Sequence, residues 1–307
     1  MRMKGIEHVG IIGMGALGML YGNMIRESLG ADHVSFILDN QRYEKYQDER
    51  YEINGAPVSF TKVKAEDAKP CDLLIVAVKY NGLESALETM KNAVGDDTII
   101  ISVMNGITSE EIIGQRYGMD KVIYTVAQGM DVQHFGSKVW YTRSGQLCVG
   151  VTDPQMQEKL DCLTAFFDQV HMAYTAETDI MHRLWGKLML NVGVNQTCMV
   201  YGKGYQDVQV PGSQEYMTLI SAMREVMLVA NAEHVGLTEE DLRYYVDLIK
   251  TFPAEATPSM GQDRMNKRCS EVELFAGTVI RYARKHDIVV PANEFLYKRV
   301  YEIEAEY

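Results

Sequence analysis

The sequence predicts an α/β protein whose N-terminal half forms a doubly wound sheet and whose C-terminal domain is all-helical. Short apolar segments alternate with helical patterns in the first half of the chain. That rhythm is typical of a sheet covered by helices on both faces. A G-x-G-x-x-G sequence follows the first apolar segment at residue 13. Beyond residue 176 almost only helical periodicity remains.

Composition excludes several classes of protein. The chain has 307 residues, of which 47% are hydrophobic and 23% charged, so it is globular and long enough for two domains. A net charge of −12 argues against a nucleic-acid partner. Its five cysteines are dispersed without metal-site spacing, which is typical of reduced thiols. Without a signal peptide or an apolar run of about 18 residues, we expect a soluble, cytoplasmic protein with no metal and no membrane span.

The expected strands follow one another at regular intervals. They are residues 7–12, 34–39, 71–79 and 98–106, then 121–130 and the region 139–150. The third is apolar almost throughout, as in a parallel strand that is buried on both faces. The last two are expected to be antiparallel.

The remainder of the chain reads as helices. Breaks interrupt the helical pattern at 208–213, 236–241 and 252–263. Thr178 or Asp179 is a suitable N-cap for the opening helix. We therefore divide the chain into an N-terminal α/β domain, 1–175, and a C-terminal helical domain, 176–307.

The glycine-rich sequence is the most specific local motif. It consists of Gly13, Met14, Gly15, Ala16, Leu17 and Gly18. The first glycine permits a tight turn, the second lets a pyrophosphate approach the backbone at a helix N-terminus, and the third allows close helix–strand packing. Because a strand precedes the motif and a helix follows it, we expect a Rossmann-type dinucleotide-binding domain.

Two residues of opposite charge leave the choice of dinucleotide open. Asp39 ends the second strand, where an acidic side chain would bind the ribose 2′-hydroxyl of NAD. Arg42 follows three residues later and could pair with the 2′-phosphate of NADP. Both also fit a solvated turn, so the pattern alone does not decide.

Two further polar residues follow strands. Lys79 ends the third strand, and Asn105 lies at the end of the fourth, before Gly106. Ligands of open α/β sheets bind outside the carboxyl ends of the strands. We expect Lys79 to face a phosphate or a carboxylate and Asn105 to hydrogen-bond near the nicotinamide, although a plain turn would also explain Asn105.

A polar row interrupts the apolar segment 182–198. Lys187, Asn191 and Asn195 recur at intervals of four and so share one face of a helix. The surrounding residues are apolar enough to be buried nearly all round. Asparagine is a mediocre helix former, so a lined cleft explains the row better than a solvated stripe does. Glu271, by contrast, lies in a predicted helix at 267–286 and looks like a solvated glutamate from its surroundings alone, and Ser259 looks like a helix cap.

Taken together, these residues resemble the ketopantoate reductase (2-dehydropantoate 2-reductase) family over essentially the whole chain. The shared motifs are GMGALG at 13–18, AVK at 77–79, MNG at 104–106, W-x-K-L-x-x-N-x-x-x-N at 185–195, PSMGQD at 258–263 followed by Glu271, and IVVPAN at 288–293. Several motifs in the right order are far more specific than one glycine fingerprint.

The resemblance implies an NADPH-dependent reduction of a 2-oxo acid, ketopantoate, to a 2-hydroxy acid in pantothenate biosynthesis. By this likeness Lys187 is the general acid, and Glu271 contacts the substrate and supports the lysine. Asn191, Asn195 and Ser259 bind the substrate, and Lys79 and Asn105 lie in the cleft for cofactor and substrate. A cation at the ketone oxygen suits this chemistry, because hydride transfer builds negative charge there.

Three positions depart from the family pattern. Asp39 stands where an arginine is common, Tyr205 where an asparagine is common, and VELFAG follows Glu271 in place of a polar segment ending in Asn-Gly. A reductase of a different 2-oxo acid in the same family, with NADH as a candidate cofactor, is therefore the alternative. A non-catalytic dinucleotide sensor is a third reading, disfavoured because the candidate catalytic residues are all present.

Two expectations concern the whole molecule. The helical domain is compatible with a homodimer, although no sequence feature requires one. Closure of the two domains around a small-molecule substrate is a natural expectation for this arrangement.

Overall fold

The structure is a computed structural model that describes residues 4–254 and 256–307. The chain divides into two compact units. The first comprises residues up to Asn105 together with Ser109–Ile180, and the second comprises Gly106–Thr108 and Met181–Tyr307. The division therefore falls after Ile180, whereas the sequence suggested a boundary after residue 175.

All the strands that the structure describes lie in the first unit. In chain order they are β1 (Val9–Ile12), β2 (Val34–Leu38), β3 (Tyr51–Ile53), β4 (Ala56–Val58), β5 (Thr61–Lys64), β6 (Leu73–Val76), β7 (Ile99–Ser102), β8 (Val122–Met130), β9 (Gln133–Phe135), β10 (Lys138–Trp140), β11 (Ser144–Gly150) and β12 (Tyr174–Ala176).

An eight-stranded sheet forms the centre of this unit, in the order β12-β11-β8-β7-β6-β1-β2-β5. Six neighbouring strands of this sheet are mutually parallel, namely β8, β7, β6, β1, β2 and β5. Their buried residues form the core of the unit. The chain builds outward from β1 in both directions, so the strand order reverses between β1 and β6. In such a sheet the carboxyl ends of these two strands flank the ligand crevice. The predicted doubly wound sheet is confirmed.

The expected antiparallel pairing was only partly right. Strand β8 pairs antiparallel with β11 but parallel with β7. The region 139–150 also does not form one strand, because β10 and β11 belong to different sheets.

A separate four-stranded sheet, β4-β3-β10-β9, was not predicted. Asn54 and Gly55 connect β3 to β4 with φ angles of 48° and 82°, as a two-residue hairpin turn requires. The parallel pairing of β10 with β3 is non-local and leaves no short-range pattern in the sequence.

Helices flank the large sheet and make up the second unit. They are α1 (Ala16–Leu29), α2 (Asn40–Tyr46), α3 (Leu83–Met90), α4 (Ser109–Tyr117), α5 (Gln157–Gln169), α6 (Ile180–Tyr201), α7 (Gln214–Ala232), α8 (Glu239–Ile249), α9 (Ser259–Met265), α10 (Thr278–Lys285) and α11 (Pro291–Glu304). The helical character of the second unit is thus confirmed for its described residues. None of the described helices combines the length and the apolar character needed to span a membrane.

The continuous helix expected around Glu271 was wrong. Glu271 lies before the regular structure begins, a π-helical turn occupies Glu273–Gly277, and α10 starts only at Thr278. π-helical turns are rare in proteins as a whole, and those that occur are often found at functional sites.

Candidate active site

The glycine motif forms the turn between β1 and α1. Gly13 has a φ of +111°, and a Cβ atom there would lie 2.4 Å from the carbonyl oxygen of Ala77. A Cβ on Gly18 would lie 2.0 Å from the carbonyl oxygen of Gly13. Both glycines are therefore required by the packing of the turn itself.

Gly15 differs from its neighbours in the motif. A Cβ there would approach the protein no closer than 3.9 Å, at the Ala77 carbonyl oxygen, and its φ of −87° is open to any residue. The fold alone does not require a glycine at this position. Open space beside a helix N-terminus without acidic residues in its first turn is what a bound pyrophosphate needs. The glycine turn therefore fits a dinucleotide.

The other motif residues have a different environment. The side chains of Met14 and Leu17 pack against the core of the first unit, and Ala16 is the first residue of α1. All three residues are half-buried.

Asp39 and Arg42 form one ion pair. Asp39 is the N-cap of α2, and one carboxylate oxygen accepts a hydrogen bond from the Arg42 backbone N–H at 2.7 Å. The other oxygen accepts one from the Arg42 guanidinium at 2.5 Å. The carboxylate therefore offsets the arginine charge on which recognition of a 2′-phosphate would depend.

Lys79 and Asn105 follow adjacent parallel strands at one sheet edge. Lys79 comes after β6 and is exposed, and Asn105 comes after β7 and is half-buried. The glycine turn follows β1 at the same edge, since β1 and β6 are also parallel neighbours. Gly106 has a φ of +91°, and a Cβ there would lie 3.3 Å from the Leu274 side chain.

The polar row lies on α6. Lys187 and Asn191 are half-buried, and Asn195 is buried. The Asn195 side-chain amide donates a hydrogen bond to the Asn191 side-chain oxygen at 3.2 Å. The predicted substrate asparagines thus contact each other directly, one helical turn and two turns beyond Lys187.

Ser259 joins this row from α9. Its hydroxyl donates a hydrogen bond to the Asn195 side-chain oxygen at 3.0 Å. The expectation that Ser259 caps a helix was wrong, because Pro258 occupies the N-cap position and Ser259 is the first helical residue. The structure therefore brings together Ser259, Asn195 and Asn191 from distant parts of the sequence.

Gln196 makes a contact between distant segments that the sequence did not predict. It is fully buried, and its side-chain nitrogen donates to the Val192 carbonyl at 2.9 Å. Its side-chain oxygen accepts the backbone N–H of Ala276 at 3.1 Å. It therefore fastens α6 to the π-helical turn that follows Glu271. Its sequence signal is weak, because it is one of several polar residues in a largely apolar helix.

Glu271 is half-buried beside that turn. Its backbone carbonyl accepts the Leu274 N–H at 2.9 Å, at the start of the π-helical turn. Its support of Lys187 remains a prediction.

An aromatic corner, formed by Tyr205 and Phe252, lies in the same unit. Their rings meet edge-on with centroids 4.9 Å apart, and the Tyr205 N–H donates to the Ala256 carbonyl at 3.2 Å. Burial, and secondarily the nearby Cys198 thiol, raise the pKa of the Tyr205 hydroxyl to about 12. Cys198 lies three residues after Asn195 on α6, so the corner adjoins the far end of the polar row.

Among residues 4–254 and 256–307, no group of three or more His, Cys, Asp and Glu side chains is placed to hold a metal ion.

Comparison with known proteins identifies the family. The family model described as Ketopantoate reductase PanE/ApbA matches residues 9–154, and the one described as Ketopantoate reductase PanE/ApbA C terminal matches residues 179–304. The chain is an oxidoreductase with a Rossmann-like fold. It belongs to the ketopantoate reductase family, as its motifs predicted.

Individual relatives are distant. A 2-dehydropantoate 2-reductase of Vibrio cholerae is 26% identical over 250 residues, which cover 81% of this chain and 83% of the relative. One of Aquifex aeolicus is 27% identical over 311 residues, covering 94% of each chain.

Solved structures agree in fold. A dimeric ketopantoate reductase from Staphylococcus aureus is 21% identical with a TM-score of 0.80, over 97% of this chain and 99% of that one. The ternary structure of D-mandelate dehydrogenase with NADH and anilino(oxo)acetate is 21% identical with a TM-score of 0.85, over 97% and 98%. At this identity the likeness establishes the architecture alone.

Proposed function

We propose that the protein reduces ketopantoate (2-dehydropantoate) to pantoate with NADPH, as a step of pantothenate biosynthesis. The observation that carries this proposal is the hydrogen-bonded row of Ser259, Asn195 and Asn191, which continues the helix face of Lys187. A 2-oxo acid presents a carboxylate and a ketone, and amide and hydroxyl groups can bind the first while an ammonium group polarises the second.

The residues divide the chemistry between them. A reduced dinucleotide held by the first unit would supply the hydride that the oxo acid accepts at C2. Lys187 donates a hydrogen bond to the ketone oxygen and transfers its proton to that oxygen as the C–O bond becomes single, after which solvent reprotonates the amine. Glu271 orients the ammonium group, and Asn105, Asn191, Asn195 and Ser259 hold the substrate.

The first unit would hold the dinucleotide. Support comes from the open space at Gly15 and from the positions of Lys79 and Asn105 at the same sheet edge. Asp39 and Arg42 would meet the adenosine ribose.

Replacement of Lys187 tests the mechanism. We expect Lys187→Ala to lower kcat by roughly a hundredfold or more, the usual contribution of a positioned general acid. Dinucleotide affinity should stay at the wild-type level. Steady-state kinetics and a fluorescence titration measure the two quantities.

The matched control is Lys298→Ala, which removes an exposed lysine on α11 of the same unit. Turnover of Lys187→Ala within a few-fold of wild type would show that another group delivers the proton.

A second candidate is an NADH-dependent reductase of a 2-oxo acid with an apolar side chain. Two observations favour it: the Asp39 carboxylate paired with Arg42, and the aromatic corner adjoining the polar row. Relative kcat/KM on ketopantoate and on 2-oxo acids that lack its hydroxyl group separates the two candidates.

A cytoplasmic location and a homodimer stay predictions; size-exclusion chromatography with light scattering checks the latter.

A further inference from the structure

The turn between β7 and α4, residues 103–108, is closed at its base by two serine hydroxyls. Ser102 is the last residue of β7 and Ser109 the first of α4, and they are 0% and 1% exposed. The Ser102 hydroxyl donates a hydrogen bond to the Ser109 hydroxyl at 2.9 Å. This turn carries Asn105, so the serine pair fixes both ends of the segment that presents a candidate substrate residue.

Glu110 completes this arrangement. The Ser109 hydroxyl donates to one Glu110 carboxyl oxygen at 2.7 Å, and the Thr125 backbone N–H donates to the other at 3.5 Å. Glu110 is only 1% exposed. In the described part of the chain no cation pairs with its carboxyl group, and Glu111 and Tyr124 are the titratable groups that act on it or feel its charge.

A buried carboxyl group without a cation is costly, so its position needs a reason. The N-terminus of α4 and the two hydrogen bonds offset part of the cost. Burial also raises the pKa of the Glu110 carboxyl to about 7. An apolar residue would fill the same space without these costs, which points to a role other than packing.

The hydrogen-bond directions indicate that role. Because the Ser109 hydroxyl donates its hydrogen bond to Glu110, a Ser109 lone pair is left to accept a hydrogen bond from Ser102. The Ser102 oxygen in turn accepts the Met104 backbone N–H at 3.4 Å, inside the turn. Without the carboxyl group, the Ser109 hydroxyl would be free to rotate. The series of hydrogen bonds from Ser109 through Ser102 to Met104 would then no longer have a fixed donor and acceptor at each step.

We propose that Glu110 is a positioning residue for Asn105, acting through Ser109 and Ser102 to hold the turn 103–108 in the conformation that binds the 2-oxo acid. The link to the oxo acid rests on the proposed function, whereas the ordering of the turn does not.

Hydrogen–deuterium exchange on the full-length protein tests the ordering directly. We expect Glu110→Ala to speed amide exchange in residues 103–108 by about tenfold, the equivalent of one lost buried hydrogen bond. Glu110→Gln keeps an acceptor of the same size and should restore the wild-type rate. Ile113→Ala, which removes a fully buried apolar side chain from the same helix, is the control for general loosening.

Kinetics test the consequence for substrate. Glu110→Ala should raise the KM for the oxo acid about tenfold, with a smaller change in the dinucleotide Kd because Lys79 and the glycine turn lie outside this segment, and Glu110→Gln should recover the KM. Ile113→Ala should lower the melting temperature without this change in KM.

Each outcome decides the proposal. Unchanged exchange of 103–108 in Glu110→Ala, or an equal increase in Ile113→Ala, would overturn the positioning role. Faster exchange with an unchanged oxo-acid KM would overturn the link to substrate. If the wild-type protein reduces no oxo acid, the proposed function has failed, and the exchange data still decide whether Glu110 orders the turn.

Discussion

Asn195 uses both ends of its side-chain amide within the candidate substrate row. It donates to Asn191 and accepts from Ser259, so it sets the spacing of three groups that a carboxylate could contact. The polar row itself was visible in the sequence because a four-residue spacing on a helix is local. The contact with Ser259 was not, since it joins two helices whose packing no short-range pattern encodes.

The cofactor preference is also a matter of single residues. The Asp39 carboxylate pairs with the Arg42 guanidinium and would repel a 2′-phosphate bound beside it. We expect Asp39→Asn, which keeps the N-cap acceptor but removes the charge, to raise the NADPH-to-NADH ratio of kcat/KM about tenfold.

Steady-state kinetics with both dinucleotides measure that ratio. Asp48→Asn, which alters an exposed acid just beyond α2, is the control. An unchanged or lower ratio in Asp39→Asn would mean that Asp39 does not meet the ribose.

At the scale of elements, the unit β1–turn–α1 was predictable and the small sheet was not. The glycine spacing, the apolar strand before it and the helical pattern after it all lie within one short stretch of sequence, so the unit could be predicted from neighbouring residues. The pairing of Glu52 with Lys138 joins β3 to β10, although the two residues are 86 positions apart in the sequence. The Asn54-Gly55 sequence is by itself a hairpin signal, so this turn was predictable although the sheet around it was not.

The glycine turn allows fold and binding to be separated. Gly15→Ala should leave the melting temperature within about 2 °C of wild type, because its Cβ meets only open space and such substitutions cost little. The same Cβ would occupy the pyrophosphate position, so dinucleotide affinity should fall at least about tenfold.

Gly18→Ala should behave in the opposite order, since its Cβ would overlap the Gly13 carbonyl oxygen. We expect it to lower the melting temperature clearly, with a smaller effect on dinucleotide affinity than that of Gly15→Ala. Thermal unfolding and nicotinamide fluorescence titrations measure both quantities. A Gly15→Ala protein that binds the dinucleotide as tightly as wild type would remove the turn from the cofactor site.

For the whole molecule, the two-part α/β and helical architecture followed from the change of periodicity along the chain. Its exact division at Ile180 and the grouping of Gly106–Thr108 with the helical unit did not, because they depend on tertiary contacts. Substrate identity is equally non-local, since Tyr205 and Phe252 meet only in the folded chain.

Stability should depend on pH through Glu110. Its pKa is about 7 when folded, against 4.5 for an ordinary glutamate, so the folded chain retains a proton that the unfolded chain has lost. Wild-type stability should therefore fall as pH rises from 4.5 to about 7.

Glu110→Gln cannot ionise and removes this dependence. The free energy of unfolding of the variant minus that of the wild type should be larger at pH 8 than at pH 5. Urea unfolding of both proteins at the two pH values measures this difference. A difference between the two proteins that is the same at both pH values would contradict a neutral, buried Glu110.

The most direct test of the account is the loss of absorbance at the nicotinamide band when purified protein meets ketopantoate with NADPH or, in parallel, NADH. We expect rapid oxidation with NADPH, and rapid oxidation with NADH alone would favour the second candidate. Binding of either dinucleotide without oxidation, on ketopantoate and on a panel of other 2-oxo acids, would contradict a 2-oxo acid reductase.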